Sequence, residues 1–159
     1  ENTITDCSYA ISLGLSNSNS FYHNNIIDNS INFQTIPSIN SWDNGYPSGG
    51  NYWSEYNGTD VCSGAYQNET GSDGIGDTPY IIDEYNIDRY PLMKPYVPLL
   101  GDLNEDRKVD GKDIGIIAKA FGSYEGGPRW NPNADINGDR KVEGKDVITV
   151  AKNYGKKNQ

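Results

Sequence analysis

The feature that most restricts this chain is a twelve-residue pattern written twice. The first copy, DLNEDRKVDGKD, runs from Asp102 to Asp113, and the second, DINGDRKVEGKD, from Asp135 to Asp146, an offset of 33 residues. Both fit D-x-N-x-D-x-x-x-(D/E)-x-x-D, which sets oxygen-bearing side chains at loop positions 1, 3, 5, 9 and 12. A hard cation of calcium's size takes roughly six to eight oxygens from a loop that wraps around it. So many acids in so short a loop repel one another unless a cation sits among them.

Each loop leads into a short amphipathic helix. Apolar residues fall at Ile114, Ile117, Ala118 and Phe121 after the first loop, and at Val147, Val150, Ala151 and Tyr154 after the second. Both sets follow i, i+3, i+4, i+7, the spacing of one helix face turned to a core. Gly122 and Gly155 follow at equivalent places, where left-handed caps end helices. A helix leading into either loop is excluded. The first is preceded by PLMKPYVPLLG, whose prolines break a helix, and the second by GGPRWNPNA.

Loop plus exiting helix, twice in succession, with Asp at position 12 and a W-N-P-x-A-D approach from Trp130 to Asp135, resembles a dockerin domain. The resemblance implies two calcium loop-helix repeats of the F-hand kind, at 102–122 and 135–155, within a small α domain over 98–159. It implies Asp102, Asn104, Asp106 and Asp113 as side-chain ligands of the first ion, with the Lys108 carbonyl and with Asp110 through a water. Asp135, Asn137, Asp139, Asp146, the Lys141 carbonyl and Glu143 are the equivalents for the second. Position 6, usually glycine, is Arg107 and Arg140. A left-handed backbone there costs a non-glycine residue about 1–2 kcal/mol.

The same resemblance implies a cohesin domain as partner, held on the exposed helix faces. Gly111, Lys112, Gly115, Ile116 and Lys119 form one face, and Gly144, Lys145, Ile148, Thr149 and Lys152 the other. Ile116 and Ile148 lie off the expected core stripe, which argues for contact. Solvation is the alternative role for the lysines.

The rest of the chain differs in kind. Residues 1–97 hold twelve acidic and two basic side chains, whereas 98–159 hold ten and eleven. This switch sets a domain boundary near residue 97. Neither part carries a basic stripe, which argues against nucleic acid. No apolar run is long enough to span a membrane. The chain begins in mid-pattern, without Met or signal peptide, as a piece of a longer protein would.

Residues 1–36 alternate short apolar pairs with Asn and Ser, as in rungs of a parallel β-helix with asparagines stacked at the corners. Such rungs need neighbours to bury a core, so more rungs are expected upstream. His23, in an asparagine run, reads as solvated or stacking rather than catalytic.

From residue 37 to 97 the chain is rich in glycine and aromatics. It carries WDNG, GGNYWSEY, DGIGDTPY and DRYPLM. These motifs resemble the tail of the β-helix family that includes the nitrous-oxide-reductase maturation, or periplasmic copper-binding, proteins. The resemblance implies that residues 1–97 are the end of a right-handed parallel β-helix with an irregular aromatic cap. The whole chain is then multidomain, an all-β part followed by the small α domain.

Trp42, Tyr46, Tyr52, Trp53 and Tyr56 read as an aromatic plug, with a sugar-stacking surface as the alternative. Asp73-Gly-Ile-Gly-Asp77 resembles the end of a calcium loop, with Asp60 as an outside donor. A third calcium and a hydrogen-bonded turn are the two readings. Copper needs soft or imidazole ligands. His23, Met93, Cys7 and Cys62 form no motif for it. The two cysteines are either a disulfide or two small buried hydrophobes.

The expected function is that of a calcium-dependent extracellular module, secreted or at the cell surface. It binds a cohesin domain and attaches a β-helix protein to an assembly or cell surface. Two other classes stay open. One is a fragment of a β-helix polysaccharide-binding or polysaccharide-degrading enzyme whose active site lies upstream. The other is a purely structural calcium-stabilised domain. No carboxylate pair in 1–97 has a catalytic context, so the chain is not expected to be catalytic by itself, and the parent's activity stays open.

Overall fold

A computed structural model describes residues 1–35 and 38–158. The chain divides into two compact units, Glu1–Tyr96 and Val97–Asn158. No helix among the described residues is long and apolar enough to cross a membrane.

The first unit is built on short parallel pairings. Strands β1 (Thr3–Thr5) and β3 (Asn25–Ile27) pair in parallel, as do β2 (Ile11–Leu13) and β4 (Phe33–Thr35). In both pairs the partners are 22 residues apart, Ile4 beside Ile26 and Ile11 beside Phe33. Strand β5 (Tyr52–Trp53) joins the other edge of β3, with Trp53 beside Ile26.

Like side chains therefore stack on like. Asn2 donates to Asn24 at 3.2 Å, and Asn24 to the Asn51 carbonyl oxygen at 2.9 Å. Asn19 donates to Asn40 at 3.0 Å. An asparagine side chain both donates and accepts, so a ladder of them satisfies turns that would otherwise bury unpaired polar groups.

Ile11, Ile26, Trp42 and Trp53 form the buried core of this unit. Phe21 stacks on Trp42 with centroids 4.6 Å apart, and Tyr80 on Trp53 at 4.4 Å. The indoles need acceptors, and two buried residues of the tail supply them. Trp42 donates to Asn86 and Trp53 to Asp88, both at 2.9 Å. Two antiparallel hairpins complete the tail, β6 (Cys62–Ser63) with β7 (Glu69–Thr70), and β8 (Tyr80–Ile81) with β9 (Ile87–Asp88).

Trp42 and Trp53 are thus interior groups, with no face left for a sugar. His23 is buried rather than solvated. Its ring stacks on Tyr96 at 3.9 Å and its Nε2 lies 3.0 Å from the Ser48 carbonyl. Both cysteines are free thiols, half-buried.

Asp88 is fully buried and accepts from the Asn51 and Tyr90 amides as well as from Trp53. Gly50 has no side chain because a Cβ there would overlap the Asp88 carboxylate. Burial outweighs the N–H donors and pushes this carboxyl up to about 7. A carboxyl raised on folding contributes stability that is full below its unfolded value, near 3.8, and is lost as pH rises through about 7. The first unit is therefore expected to melt at a lower temperature at pH 8 than at pH 4.5. Asp88→Asn should flatten that slope. Identical pH profiles for the two proteins would remove Asp88 as its source.

In the second unit two helices follow two loops, α1 (Gly111–Ala120) and α2 (Gly144–Asn153), with a single 3-10 turn at Pro132–Ala134 before the second loop. The core is small: Leu103, Val109, Ile117, Ala120, Ala134, Val142 and Val150. Val109 and Val142 are equivalent by the 33-residue offset, as are Ile117 and Val150.

The repeats are also stapled crosswise by backbone bonds. Val109 in the first loop donates to Lys156 and accepts from Gly155, beyond the end of α2. Val142 in the second loop donates to Ser123 and accepts from Gly122, beyond the end of α1. Gly122 and Gly155 have φ of 75° and 83°, a left-handed backbone that glycine adopts without a Cβ penalty.

The face that each helix buries differs from the expected stripe. Asp113, Ile117 and Ala120 point inward on α1, and Asp146 and Val150 on α2. Ile114, Ala118 and Phe121 are exposed, as are Ala151 and Tyr154, while Val147 is half-buried. The inward face starts at a buried carboxylate, which a count of apolar residues passes over. The apolar stripe is displaced from the core by about one position.

Candidate functional site

Each loop is closed by its own carboxylates, and positions 1, 3 and 12 make matching bonds in the two. Asp102, at position 1, accepts from the Asp106 and Arg107 amides at 3.1 and 2.7 Å, and Asp135 from Asp139 and Arg140 at 3.1 and 2.8 Å. Asn104 and Asn137, at position 3, accept from the amide of position 5 and donate to its carboxylate.

Asp113 and Asp146, at position 12, are fully buried. One oxygen accepts from position 2 (Leu103 at 2.7 Å, Ile136 at 3.0 Å) and the other from position 9 (Asp110 at 2.7 Å, Glu143 at 2.8 Å). Position 12 is also the third residue of the helix, so one side chain ties the loop's start to the helix's first turn. Asp110 caps α1 by accepting from the Lys112 amide at 2.8 Å.

The arginines at position 6 take the left-handed backbone that the loop demands, with φ of 70° at Arg107 and 68° at Arg140. Arg140 is exposed, with one loose ion pair to Glu125 at 3.5 Å. Arg140→Gly relieves about 1 kcal/mol of backbone strain. It is expected to tighten calcium binding at the second loop by a few-fold, read by calorimetry. Weaker binding would mean that the arginine holds the loop in some other way.

Charge is concentrated unevenly between the loops. Burial pushes Asp102 up to about 6, and the charges of Asp113 and Asp106 add to it. Asp106 is buried, and its Oδ1 has no hydrogen-bond partner, whereas its Oδ2 meets the Lys112 ammonium at 3.1 Å. Asp139, its equivalent, is more exposed, with Lys145 at 3.7 Å from Asp139 and 3.2 Å from Glu143.

No three His, Cys, Asp or Glu side chains among the described residues converge as a ready metal cage. The donor set here is mixed, however. It comprises carboxylates, the Asn104 amide oxygen and the Lys108 carbonyl, all oxygens of the kind a hard cation takes. A buried carboxylate oxygen left bare is costly, and Asp106 Oδ1 is such an oxygen within the first loop. The first loop fits a calcium-sized ion on that ground; the second has the same donor types, but its position-5 oxygen, Asp139 Oδ1, accepts from the Lys141 amide at 3.2 Å.

The third acidic group is different. Asp60 accepts from Ser72, Asp73 and Gly74, and Asp77 from Thr59, Val61 and Cys62. Asp73 accepts from Ile75 and Gln67. Asp60 and Asp73 thus close one turn and Asp77 another, and no group of three such side chains able to hold an ion occurs among the described residues.

Of the expected contact residues, Gly111, Lys112, Gly115 and Lys119 on α1 are exposed, as are Gly144, Lys145, Ile148 and Lys152 on α2. Ile116 is half-buried and packs on the core, and Thr149 is half-buried with its hydroxyl on the Lys145 carbonyl. Sequence reasoning assigned Ala118, Phe121, Ala151 and Tyr154 to the core. They are exposed and continue the outer faces. Their one signal was that the helix's third residue is a ligand-type aspartate, which must turn inward.

Two family models match separate parts of the chain. Residues 100–154 match the family model for the dockerin type I domain. Residues 1–58 match that for the periplasmic copper-binding protein NosD. The NosD match starts at the first residue, whereas the motif resemblance was strongest over 37–95. A solved structure described as a type II cohesin-dockerin domain from Bacteroides cellolosolvens is 33% identical, covering 40% of this chain and 95% of that one, with a TM-score of 0.34. No curated protein gives a match.

Proposed function

We propose that this chain, whose residues 100–154 are a dockerin type I domain, is a calcium-dependent module that binds a cohesin domain and attaches its β part to a protein assembly or cell surface outside the cytoplasm. The observation that carries this reading is the pair of loop-helix units with matched hydrogen bonds and crosswise backbone staples. That frame presents two like helix faces side by side. Asp102, Asn104, Asp106, Asp113 and the Lys108 carbonyl would hold one calcium, with Asp110 assisting. Asp135, Asn137, Asp139, Asp146, the Lys141 carbonyl and Glu143 would hold the second. The ions would supply positive charge at the loop centres.

The contact surface is best placed on Gly111, Lys112, Gly115 and Lys119 with Gly144, Lys145, Ile148 and Lys152, extended by the exposed Ala118, Phe121, Ala151 and Tyr154. Exposed aromatic and apolar side chains beside lysines suit a protein partner with apolar and acidic contacts. The 22-residue parallel register and asparagine ladders support reading residues 1–97 as the last coils and cap of a parallel β-helix.

Calorimetry of calcium, then of a cohesin domain, into the chain tests the function. Calcium binding without capture of any cohesin would favour a purely structural domain. At saturating calcium, Lys112→Ala with Lys145→Ala is expected to weaken cohesin binding about tenfold, as loss of contacts worth about 1.4 kcal/mol would. Unaltered binding would move the contact surface elsewhere.

A further inference from the structure

The first unit carries an open groove of about 380 Å³, within the range of about 300–1,000 Å³ that small-ligand sites occupy. Part of its lining is polar and written twice by the coil repeat. Ser20 pairs in parallel with Ser41, and Asn19 donates to Asn40 at 3.0 Å. Neighbouring coils stand about 4.8 Å apart, so like polar side chains recur at the scale of one pyranose ring. The backbone here is already paired: Ser18 donates to Ile39, Ser41 to Asn19 and Phe21 to Ser41. Another part of the lining is apolar. Tyr85 and Ile87, from the β8–β9 hairpin, are 54% and 39% exposed, and Ile39 is 61% exposed. Trp42 also lines the groove but is 1% exposed, so Tyr85 is the ring it offers to a ligand. The charged part is a fixed pair. The buried Asp43 carboxylate holds the exposed Arg89 guanidinium through Nε at 2.9 Å and Nη2 at 2.8 Å. A guanidinium has five N–H donors in a rigid fork, so Arg89 keeps donors for a ligand.

We propose that this groove binds a short stretch of a neutral polysaccharide. A pyranose ring has apolar C–H faces and a rim of hydroxyls that both donate and accept. Tyr85, Ile39 and Ile87 suit the faces. Serine hydroxyls and asparagine amides also donate and accept, and with the Arg89 fork they suit the rim. Charge selects against acidic polymers. Residues 1–97 hold twelve acidic and two basic side chains, and Arg89, one of those two, is neutralised by Asp43. The field of the unit repels a polyanion, whereas an uncharged sugar meets only fixed dipoles and one closed ion pair. An extended peptide would gain little, because the coil backbones already bond to each other and leave it no strand edge. All of these residues belong to the first unit, so the proposal goes beyond cohesin capture and stands without it.

The test is native affinity electrophoresis of the full chain, with calcium present, in gels carrying soluble β-glucan, galactomannan or polygalacturonate. The wild type is expected to be retarded by at least one of the two neutral polymers and not by polygalacturonate. Tyr85→Ala removes the exposed ring and should raise the dissociation constant for that polymer about tenfold, as loss of a contact aromatic does. Ser20→Trp sets a bulky ring into the groove and should abolish retardation. Both positions are exposed, so both variants should keep the wild-type circular dichroism and melting temperature. If Ser20→Trp fails to fold, Tyr85→Ala decides alone. Unretarded wild type in both neutral gels overturns the proposal. So does retardation by polygalacturonate alone, or retardation of the folded variants equal to that of wild type.

Discussion

Chelation of divalent cations is expected to unfold residues 97–158 and leave residues 1–96 folded. The second unit has a core of seven buried apolar residues, two of them alanine. A domain of its size has little stability to spare. Against that core stand Asp102, Asp106 and Asp113 within one loop, with Asp102 already pushed up to about 6 by burial and its acidic neighbours. A metal that binds only the folded loop adds its binding energy to folding. Its removal leaves the repulsion and takes away the anchor of both helices at their third residue. Circular dichroism should show loss of the helical signal on adding EDTA and its return with excess calcium. The first unit, which has no α-helix among its described residues, should keep its near-ultraviolet tryptophan signal. A melting profile indifferent to chelator would defeat the calcium reading.

Trp53→Ala is expected to unfold the first unit under conditions where the wild type is stable. Trp53 is fully buried, stacks on Tyr80, leans on Trp42 and pairs with Ile26 across β5 and β3. Truncating a buried tryptophan to alanine costs about 3–5 kcal/mol. Here it also takes one N–H donor from the buried Asp88 carboxylate. For a unit of this length each kcal/mol lowers the melting temperature by about 4–8 °C, so the transition should fall by at least roughly 12 °C. Trp53→Phe, which keeps the ring contacts and loses only the indole donor, should fall by less than half as much. If both variants melt together, the hydrogen bond to Asp88 rather than the packing carries the stability.

The two loops were legible because their chemistry is local. Twelve consecutive residues hold every side chain that closes a loop, so spacing alone sets out the oxygens and the left-handed position 6. The helix faces were less so. Hydrophobic periodicity assumes that what points inward is apolar, and Asp113 and Asp146 point inward because the loop amides need them. Ile114, Ala118 and Phe121 then lie outside, and Ile116 is drawn toward the core.

In the first unit the character of the segments could be read, but the pairing could not. The bonds that matter run from Asn24 to Asn51 and from Trp42 to Asn86, across tens of residues with no local signature. The tail motif around Asp88 was recognisable as a motif. Its physical purpose, to accept from a buried indole and two buried amides, needed the fold.

The crosswise staples make the two halves depend on each other to fold. Val109 finds its backbone partners at Gly155 and Lys156, and Val142 finds its own at Gly122 and Ser123. One loop with its own helix therefore leaves both ends of the unit without partners, however well it holds an ion. The duplicated half is a unit of sequence but not of folding. A single repeat would have to meet a second copy of itself, chain against chain, to close the same bonds. The two outer faces differ, as at Gly115 and Ile148, while the inner reciprocal bonds are the same in both halves.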